Sequence, residues 1–335
     1  MRRLVPLTIV ALGLAPGTWV RTPQAVFTDE RPILSATPLP LPDLGRGDLR
    51  VAGAWALSSG NRHFGGYSAL AALPDGSLLA VSDRGRRLRF TPPGRPGRLV
   101  DFAYLGPERP AAKAGADSEA LTVDPASGRL WVAYENRNRI VRYDAGFRPE
   151  GSVRPAAMRD WPSNSGPEAI VRLADGRFVV LAEGSPRSSD EDSPALLFPS
   201  DPVQGAVPVR FRFRPPDGYR PVDAAQLPDG RVMILLRQVH WALPPRFSGR
   251  LMIADPAAIR AGERWRAGPL ADIAEPLPTD NYEGLAVEPG ADSGVILWLI
   301  SDDNKSAFQR TLLLKLVWRP NAKTRGESPR VLVIR

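Results

Sequence analysis

The chain contains no cysteine and only two histidines and four lysines among its 335 residues. Without thiols it cannot form disulfides, bind zinc through thiolates or use a cysteine nucleophile. The formal net charge of +8 comes almost entirely from arginine, which is spread along the whole chain and forms no dense basic helix. No ribonucleoprotein motif of interleaved aromatic and basic residues accompanies it, so we expect no nucleic-acid binding.

The sequence also lacks the period of a long amphipathic helix. Its 36 prolines and 30 glycines instead mark frequent turns between short apolar runs, as at Pro74-Asp75-Gly76 and Pro228-Asp229-Gly230. This pattern predicts an all-β fold with many short strands. Only Pro256–Ala261 suits a helical turn.

The first residues are typical of an export signal. Two arginines, Arg2 and Arg3, precede the uncharged apolar run Leu4–Leu14, which is too short to cross a membrane as a mature helix. We therefore predict that residues 1–25 are a signal peptide or an N-terminal anchor and that the protein is periplasmic or secreted. We expect no other stable membrane insertion, and we interpret residues 26–48 as a Pro-rich linker before a domain over 49–335.

A repeat of about 50 residues organises that domain. Each unit has an acidic turn, a short strand, a Gly turn, a second and more apolar strand, and then a second polar group. The acidic turns are spaced by 51, 49, 55 and 60 residues, and four short strands per unit are typical of a β-propeller. The acidic-turn positions are Ser68, Glu119, Glu168, Asp223 and Glu283.

Five units predict a five-bladed propeller of four-stranded antiparallel blades. The strands predicted in the second unit are Ala120–Val123, Leu130–Tyr134, Ile140–Tyr143 and Ser152–Ala156, and those in the fifth are Glu283–Val287, Val295–Ile300 and Thr311–Trp318. The fifth unit lacks a fourth strand, and we expect Leu49–Ser58 from the other end of the domain to supply it and close the ring. Six blades remain the alternative, because 22–60 and 319–335 leave room for another, with Arg330–Arg335 as one strand.

The polar group after the second strand of each unit forms a second set of side chains. We expect this set to lie close to the acidic-turn residues, which form the first set. In a propeller, the loop before the inner strand and the loop after the second strand open toward the same face. We therefore expect eight carboxylates from ten equivalent positions to converge at one channel mouth. The second set comprises Asp83, Glu135, Glu183, Arg237 and Asp302, with Asp303 and Asn304 beside the last.

So many like charges cannot all stay ionised in a dehydrated channel without cations, arginine partners or raised pKa values. Oxygen ligands without cysteine favour Ca²⁺, ahead of Mg²⁺ or Mn²⁺. Arg84, Arg137, Arg237 and Lys305 are alternative neutralising groups. A purely structural role, in capping turns and linking blades, is the alternative for the carboxylates. A third possibility is an esterase that uses Ser68 with His63, five residues before it.

Four segments resemble the bacterial phytase-like family, which is described as having esterase-like activity of phytase. They are Gly65–Leu70 with Val81–Gly85, Asp117–Leu121 with Tyr134-Glu135, Asn164–Ala169, and Asn281–Leu285 with Ser301–Asn304 and Gln309–Thr311. The resemblance covers roughly 50–318. It implies a β-propeller that is often exported and is associated with phosphoester or ester hydrolysis.

The resemblance further implies that a small anionic or phosphorylated ligand binds at the acidic mouth through bridging Ca²⁺, with a metal-activated water as the nucleophile. It implies that metal is held by Glu119, Glu168, Glu283, Asp302 and Asp303 and that phosphate is clamped by Arg84, Arg237 and Lys305. To these we add Asn304 as a predicted metal ligand and Ser68, Glu135, Glu183 and Asp223 as predicted substrate-binding residues. We predict that the catalytic residues are Glu119, Glu168 and Asp83. The fourth unit departs from the pattern, because it has Asp223 and Arg237 where other units carry Glu and an acid. This departure argues against phytate itself as the substrate. A propeller that only binds a ligand or a cell-envelope partner is the rival function, and the sequence gives no oligomeric state.

Overall fold

The computed structural model describes residues 29–42, 48–106, 116–163, 165–184 and 191–320. The predicted signal segment and Arg330–Arg335 lie outside these ranges. The described residues form strands and three short 3₁₀ turns, at Ala156–Met158, Pro202–Gln204 and Pro256–Ala258. The last of these lies in the segment predicted to hold a helical turn. Among the described residues, no helix is long and apolar enough to cross a membrane.

Twenty-two strands make up the described fold. In chain order they are β1 (Ser35–Pro38), β2 (Leu49–Ser58), β3 (Tyr67–Ala72), β4 (Leu78–Ser82), β5 (Arg86–Phe90), β6 (Val100–Tyr104), β7 (Ser118–Val123), β8 (Leu130–Tyr134), β9 (Arg139–Tyr143), β10 (Pro149–Val153), β11 (Pro167–Arg172), β12 (Phe178–Ala182), β13 (Ser193–Phe198), β14 (Val209–Phe213), β15 (Arg220–Gln226), β16 (Val232–His240), β17 (Arg246–Ala254), β18 (Arg264–Trp265), β19 (Ala267–Ile273), β20 (Tyr282–Pro289), β21 (Val295–Ser301) and β22 (Leu312–Trp318).

These strands build five sheets, which confirms the five-bladed propeller. The blades are β3-β4-β5-β6, β7-β8-β9-β10, β11-β12-β13-β14 with a short parallel β18, β15-β16-β17-β19, and β20-β21-β22-β2-β1. Each inner strand contacts the inner strand of the next blade, and β20 contacts β3, so the ring is closed. A sixth sheet is absent from the described ranges, and the six-bladed alternative is wrong there.

The predicted closure of the ring is confirmed. Strand β2 pairs antiparallel with β22, from Leu49 opposite Trp318 to Ala56 opposite Leu312. The Pro-rich segment before it supplies one strand more than we predicted, since β1 pairs along the outer edge of β2. The outer strand of blade 2 lies three residues earlier than predicted, because Pro155 begins the turn Ala156–Met158.

The hydrophobic core lies between neighbouring blades. Leu235 and Leu251 of blade 4 pack with Leu297 and Leu299 of blade 5, and all four are fully buried. The second strands β4, β8 and β12 are buried along their whole length. Because both faces of these strands are covered, apolar side chains are favoured along them, which explains their continuous apolar runs.

Candidate functional site

A β-bulge lies near the start of every inner strand, and in blades 2, 3 and 5 its extra residue is a glutamate that lines the channel mouth. In blade 2, Ser118 pairs with Tyr134 and Ala120 pairs with Ala133, so Glu119 is the extra residue between them. The extra residue of a bulge leaves the in-and-out alternation of the strand. The bulge residues of blades 1, 3 and 5 are Ser68, Glu168 and Glu283.

The fourth blade corrects the predicted alignment by one residue. Pro221 pairs with Leu236 and Asp223 with Leu235, which makes Val222 the bulge residue. Asp223 therefore occupies the position that Ala120 holds in blade 2. The five bulge positions thus hold three carboxylates, one buried serine and one valine of the hydrophobic core, where we had predicted four carboxylates.

The residue after each second strand is fixed by a backbone hydrogen bond to the residue that precedes or begins its inner strand. The amide of Glu135 donates to the carbonyl of Asp117 at 2.9 Å, and that of Asp302 donates to the carbonyl of Asn281 at 2.9 Å. Equivalent bonds fix Asp83 and Glu183, and Arg237 pairs with Arg220 in blade 4. This regularity is why the second set was predictable from spacing alone.

Eight of the ten positions in the two sets line one cavity of about 580 Å³ at the channel mouth. Eight carboxylates converge there, and Arg237 is the sole basic side chain among the described lining residues. The lining residues are Asp83, Asp117, Glu119, Glu135, Asn136, Ser163, Glu168, Glu183, Arg237, Glu283, Asp302 and Asn304. Seven of the carboxylates are those predicted, and the eighth is Asp117 in place of Asp223.

Arg237 joins carboxylates of two other blades. Its Nη2 atom donates to Oε1 of Glu183 at 2.7 Å, and its Nη1 atom donates to Oε1 of Glu283 and, at 3.1 Å, to Oδ1 of Asn281. Asn281 also donates to Glu283 at 2.8 Å. These charge-assisted bonds hold the guanidinium on the cavity wall, where it offsets part of the negative charge.

Burial in the cavity raises the pKa values of five of the lining carboxyls. Burial, with the neighbouring carboxylates adding to it, raises the pKa values of Glu119, Glu168 and Asp302 well above their usual range. Burial also raises the pKa of Glu135 to about 6. The pKa of Glu283 is raised by burial, although the Arg237 charge opposes that effect. A cavity with this pattern favours protons or cations.

One group of three carboxylates has the spacing of a cation site. Asp117, Glu119 and Glu135 each bring a carboxylate oxygen within 4.8 Å of the other two. The donor set is all oxygen and anionic, which suits a hard divalent cation. Our sequence-based assignment left out Asp117, because the equivalent positions, such as Gly66 and Asn281, carry no acid.

Several predicted site residues lie outside this cavity. Asp223 is fully buried, and its carboxylate accepts the amides of Ala224 at 2.8 Å and Leu285 at 2.7 Å, so it links blade 4 to blade 5. Asp303 accepts the amide of Gly66 at 3.1 Å and the hydroxyl of Thr311 at 2.9 Å.

Two predicted basic groups also lie outside the described lining. Lys305 donates from Nζ to the carbonyl of Phe64, and burial lowers its pKa. Arg84 lies beside Asp83, with 3.9 Å between Nε and Oδ1. Of the predicted substrate-binding cations, only Arg237 therefore lines the mouth.

Ser68 does not have the geometry of a nucleophile. It is buried, and its hydroxyl lies 2.6 Å from the carbonyl oxygen of Ser118 in the next blade. His63 packs edge-on against Tyr104, with ring centroids 4.7 Å apart. The serine hydroxyl links blades 1 and 2, which argues against the Ser68/His63 esterase.

Structural comparison finds solved structures at low similarity. They include hydrazine synthase of Kuenenia stuttgartiensis (12% identity, 71% of this chain and 77% of that one, TM-score 0.39) and a luciferin-regenerating enzyme (11%, 76% and 92%, TM-score 0.40). A third is the β-propeller domain of Cps50 (Swd1) from Myceliophteria thermophila (12%, 82% and 92%, TM-score 0.39). Similarity at this level bears on neither activity nor ligand.

No curated protein sequence matches the chain. A family model does match. The model described as phytase-like, esterase-like activity of phytase, covers residues 62–305, which include all five inner strands in full and all twelve residues that line the acidic mouth. The chain, a five-bladed propeller with an acidic channel mouth, belongs to the phytase-like family.

Proposed function

We propose that this protein is a metal-assisted hydrolase of phosphoesters or esters and that the acidic mouth is its active site. The observation that supports this most strongly is the convergence of eight carboxylates and one arginine on a single cavity of about 580 Å³. The family description associates the fold with hydrolysis only at a coarse level.

The donor set suits Ca²⁺. Asp117, Glu119 and Glu135 would hold one ion, because their oxygens already lie within 4.8 Å of one another. Glu168 and Asp302 are further candidate ligands, since both line the cavity and the pKa of each is raised well above its usual range by burial. Bound Ca²⁺ would supply positive charge for phosphate or carbonyl oxygens and would lower the pKa of a coordinated water.

The residues of the chain itself would position the substrate. The carboxylates of Glu183 and Glu283 hold the Arg237 guanidinium in one orientation, so it presents a fixed positive charge on one wall. Charge-assisted bonds from such a group favour an anionic head group. Asn136 and Ser163 add neutral hydrogen-bonding groups to the lining. We infer that the substrate is small and anionic or phosphorylated and that only its head group enters the mouth.

Calcium titration tests the metal part of the proposal. Calorimetry on protein stripped with EDTA should show Ca²⁺ binding that weakens at least tenfold in Glu119→Gln. Glu263→Gln is the matched control, because Glu263 is exposed and lies far along the chain from the site residues. No heat from the unmodified protein, or equal binding by Glu119→Gln, would exclude the cation site.

Hydrolysis tests the catalytic part. The protein is assayed with p-nitrophenyl phosphate and p-nitrophenyl acetate, with and without EDTA. Chelator-sensitive release of p-nitrophenol that is lost in Glu119→Gln supports the hydrolase. Calcium binding without hydrolysis of either compound rejects the hydrolase and leaves a propeller that binds a ligand.

A second candidate rests on another pair of residues. His240 Nε2 lies 2.8 Å from Ser248 Oγ on the adjacent strand, and both line a separate groove of about 460 Å³. A serine with a histidine base can hydrolyse a carboxylic ester. Acetate hydrolysis that resists EDTA and disappears in Ser248→Ala favours this pair, whereas unchanged hydrolysis in that variant eliminates it.

We also propose export to the periplasm or the medium, which the basic and apolar start of the chain favours. A reporter enzyme that is active only after export, fused after residue 25, should become active. A silent fusion that is nevertheless expressed would contradict export by this segment.

A further inference from the structure

The hairpin of β16 and β17 stands above the acidic mouth. Each of its strands has nine residues, whereas β4, β8 and β12 have five. Arg237 lies at the level of the mouth, and the paired strands continue to His240 opposite Arg246. Trp241 follows four residues after Arg237, so the hairpin tip extends about 13 Å beyond the mouth.

The tip carries large apolar side chains that face solvent. Trp241 is 96% exposed and Leu243 is 88% exposed. Phe308, which is 54% exposed, lines a groove beside the tip end of the hairpin together with Phe247. Exposed apolar side chains that cluster in this way mark interaction sites more often than side chains scattered singly over a surface.

The hairpin that carries the tip has basic side chains and no acidic ones. Segment 237–250 contains three arginines and no aspartate or glutamate. Arg237 and Arg250 are used in ion pairs with carboxylates of the propeller, whereas the side chain of Arg246 is 71% exposed and only meets the exposed Glu275 at 3.9 Å. Arg310 is exposed beside the same groove. The hairpin itself therefore presents only positive charge next to its apolar tip, and the acids of the adjacent groove are Glu275 and the buried Asp280.

We propose that this tip docks onto the surface of an anionic phospholipid bilayer. Trp241 and Leu243 enter the boundary between head groups and acyl chains, where tryptophan is enriched, and Arg246 and Arg310 lie at the level of the lipid phosphates. A narrow convex tip presents too little area for a stable protein interface, which buries roughly 1,200–2,000 Å² in total. A fluid bilayer closes around such a tip without needing a matching surface.

Docking in this way turns the mouth toward the lipid and leaves it about 13 Å above the tip. This inference does not depend on the proposed hydrolase, because the residues of the tip are not those of the acidic mouth. Its failure would leave the calcium and hydrolysis experiments unaffected.

Vesicle sedimentation tests the proposal on the full chain. Vesicles of phosphatidylglycerol and phosphatidylcholine should pellet the protein, and vesicles of phosphatidylcholine alone should pellet at least fivefold less. The double variant Trp241→Ser with Leu243→Ser should lose at least tenfold in apparent affinity. Val207→Ser is the matched control, because Val207 is 81% exposed in blade 3 and should bind as the unmodified protein does. All variants should keep the unmodified Tm, since these side chains are largely solvated.

Arg246→Glu combined with Arg310→Glu should reduce pelleting by phosphatidylglycerol vesicles, as 0.5 M salt should also do. Failure of the unmodified protein to pellet, or equal pelleting by the Trp241/Leu243 variant, would overturn the proposal. Self-association in analytical ultracentrifugation that the same double variant abolishes, without vesicle binding, would replace the lipid with a second copy of the chain.

Discussion

The Nη2 atom of Arg237 in blade 4 lies 2.7 Å from the Oε1 atom of Glu183 in blade 3. Nη1 of the same guanidinium donates to Glu283 in blade 5, so one cation connects carboxylates from the blades on either side of its own. Blade 4 is also the blade whose bulge residue is apolar, Val222. It therefore contributes the positive charge of the mouth and no carboxylate.

Arg237→Gln should destabilise the metal-free protein. The substitution leaves Glu183 and Glu283 partly buried without their cation, which costs about 3 kcal/mol of the free energy of unfolding. Urea unfolding in EDTA measures the loss, and Ca²⁺ should restore more stability to this variant than to the unmodified protein. Arg246→Gln, at an exposed ion pair, should change stability by about 0.5 kcal/mol or less. Equal stability of the two variants would show that the carboxylates do not need Arg237.

The stability of the metal-free protein should fall as the pH rises from about 5 to about 8. Burial and neighbouring charges raise the pKa values of Glu119 and Glu168, and burial raises that of Glu135 to about 6. Over this range the native state holds protons that the unfolded chain has released. The contribution of these groups to stability is therefore complete below the ordinary pKa of 4.5, and it is lost as the pH rises through their raised pKa values.

The expected result is a Tm in EDTA that is several degrees lower at about pH 8 than at about pH 5.5. Carboxylates whose pKa values are lowered change the stability only at lower pH, outside this range. For example, the hydrogen bond from Ser77 lowers the pKa of Asp75 to about 2. Saturating Ca²⁺ should remove most of the slope. A Tm in EDTA that rises over this range would contradict the charge cluster.

Asp223→Ala should weaken the ring without affecting cation binding. The carboxylate accepts the amides of Ala224 and Leu285, and its removal leaves buried donors without an acceptor. We expect a loss of about 2–4 kcal/mol in urea unfolding and an unchanged calcium titration. Asp229→Ala, in an exposed turn, is the control and should be nearly neutral. A calcium affinity that drops in Asp223→Ala would return Asp223 to the metal site.

Gly284→Ala should also destabilise the ring, for a steric reason. A Cβ atom at this position would lie 2.8 Å from the amide nitrogen of Leu70 and 2.9 Å from the carbonyl carbon of Ala69, both in the inner strand of blade 1. Backbone cannot yield as a flexible side chain does, so the expected cost is about 1–3 kcal/mol. Gly106→Ala, with nothing within 4 Å, is the control. Equal Tm values would show that the first and last inner strands can separate at little cost.

The fold was predictable because its signals repeat. The buried second strands are continuous apolar runs in the sequence, and the turns carry Gly at regular intervals. Leu49–Ser58 was the one well-patterned strand left to complete the last blade. The second set of mouth residues was predictable for the same reason, since four of its five members follow directly after such a strand and Arg237 follows the apolar part of β16.

The first set was predictable only in part. In blade 4 we aligned an aspartate with glutamates by residue type, but the bulge lies at Val222, one residue earlier, and a one-residue shift moves a side chain from the channel to the interior. Asp117 was missed because its equivalents in other blades are not acidic. Pairs such as His240 and Ser248 depend on strand register across a hairpin, which spacing along the chain does not give.

The pairing of β2 with β22 has a consequence for the order of events during folding. The last blade cannot complete its four-strand core until Leu312–Trp318 has been synthesised, although its fourth strand is among the first to be made. That early strand must wait for β22 while four blades form, and contacts this distant in sequence are slow to nucleate. A permuted gene that begins in the turn before β3 would place all four of these strands at one end and should shorten that wait.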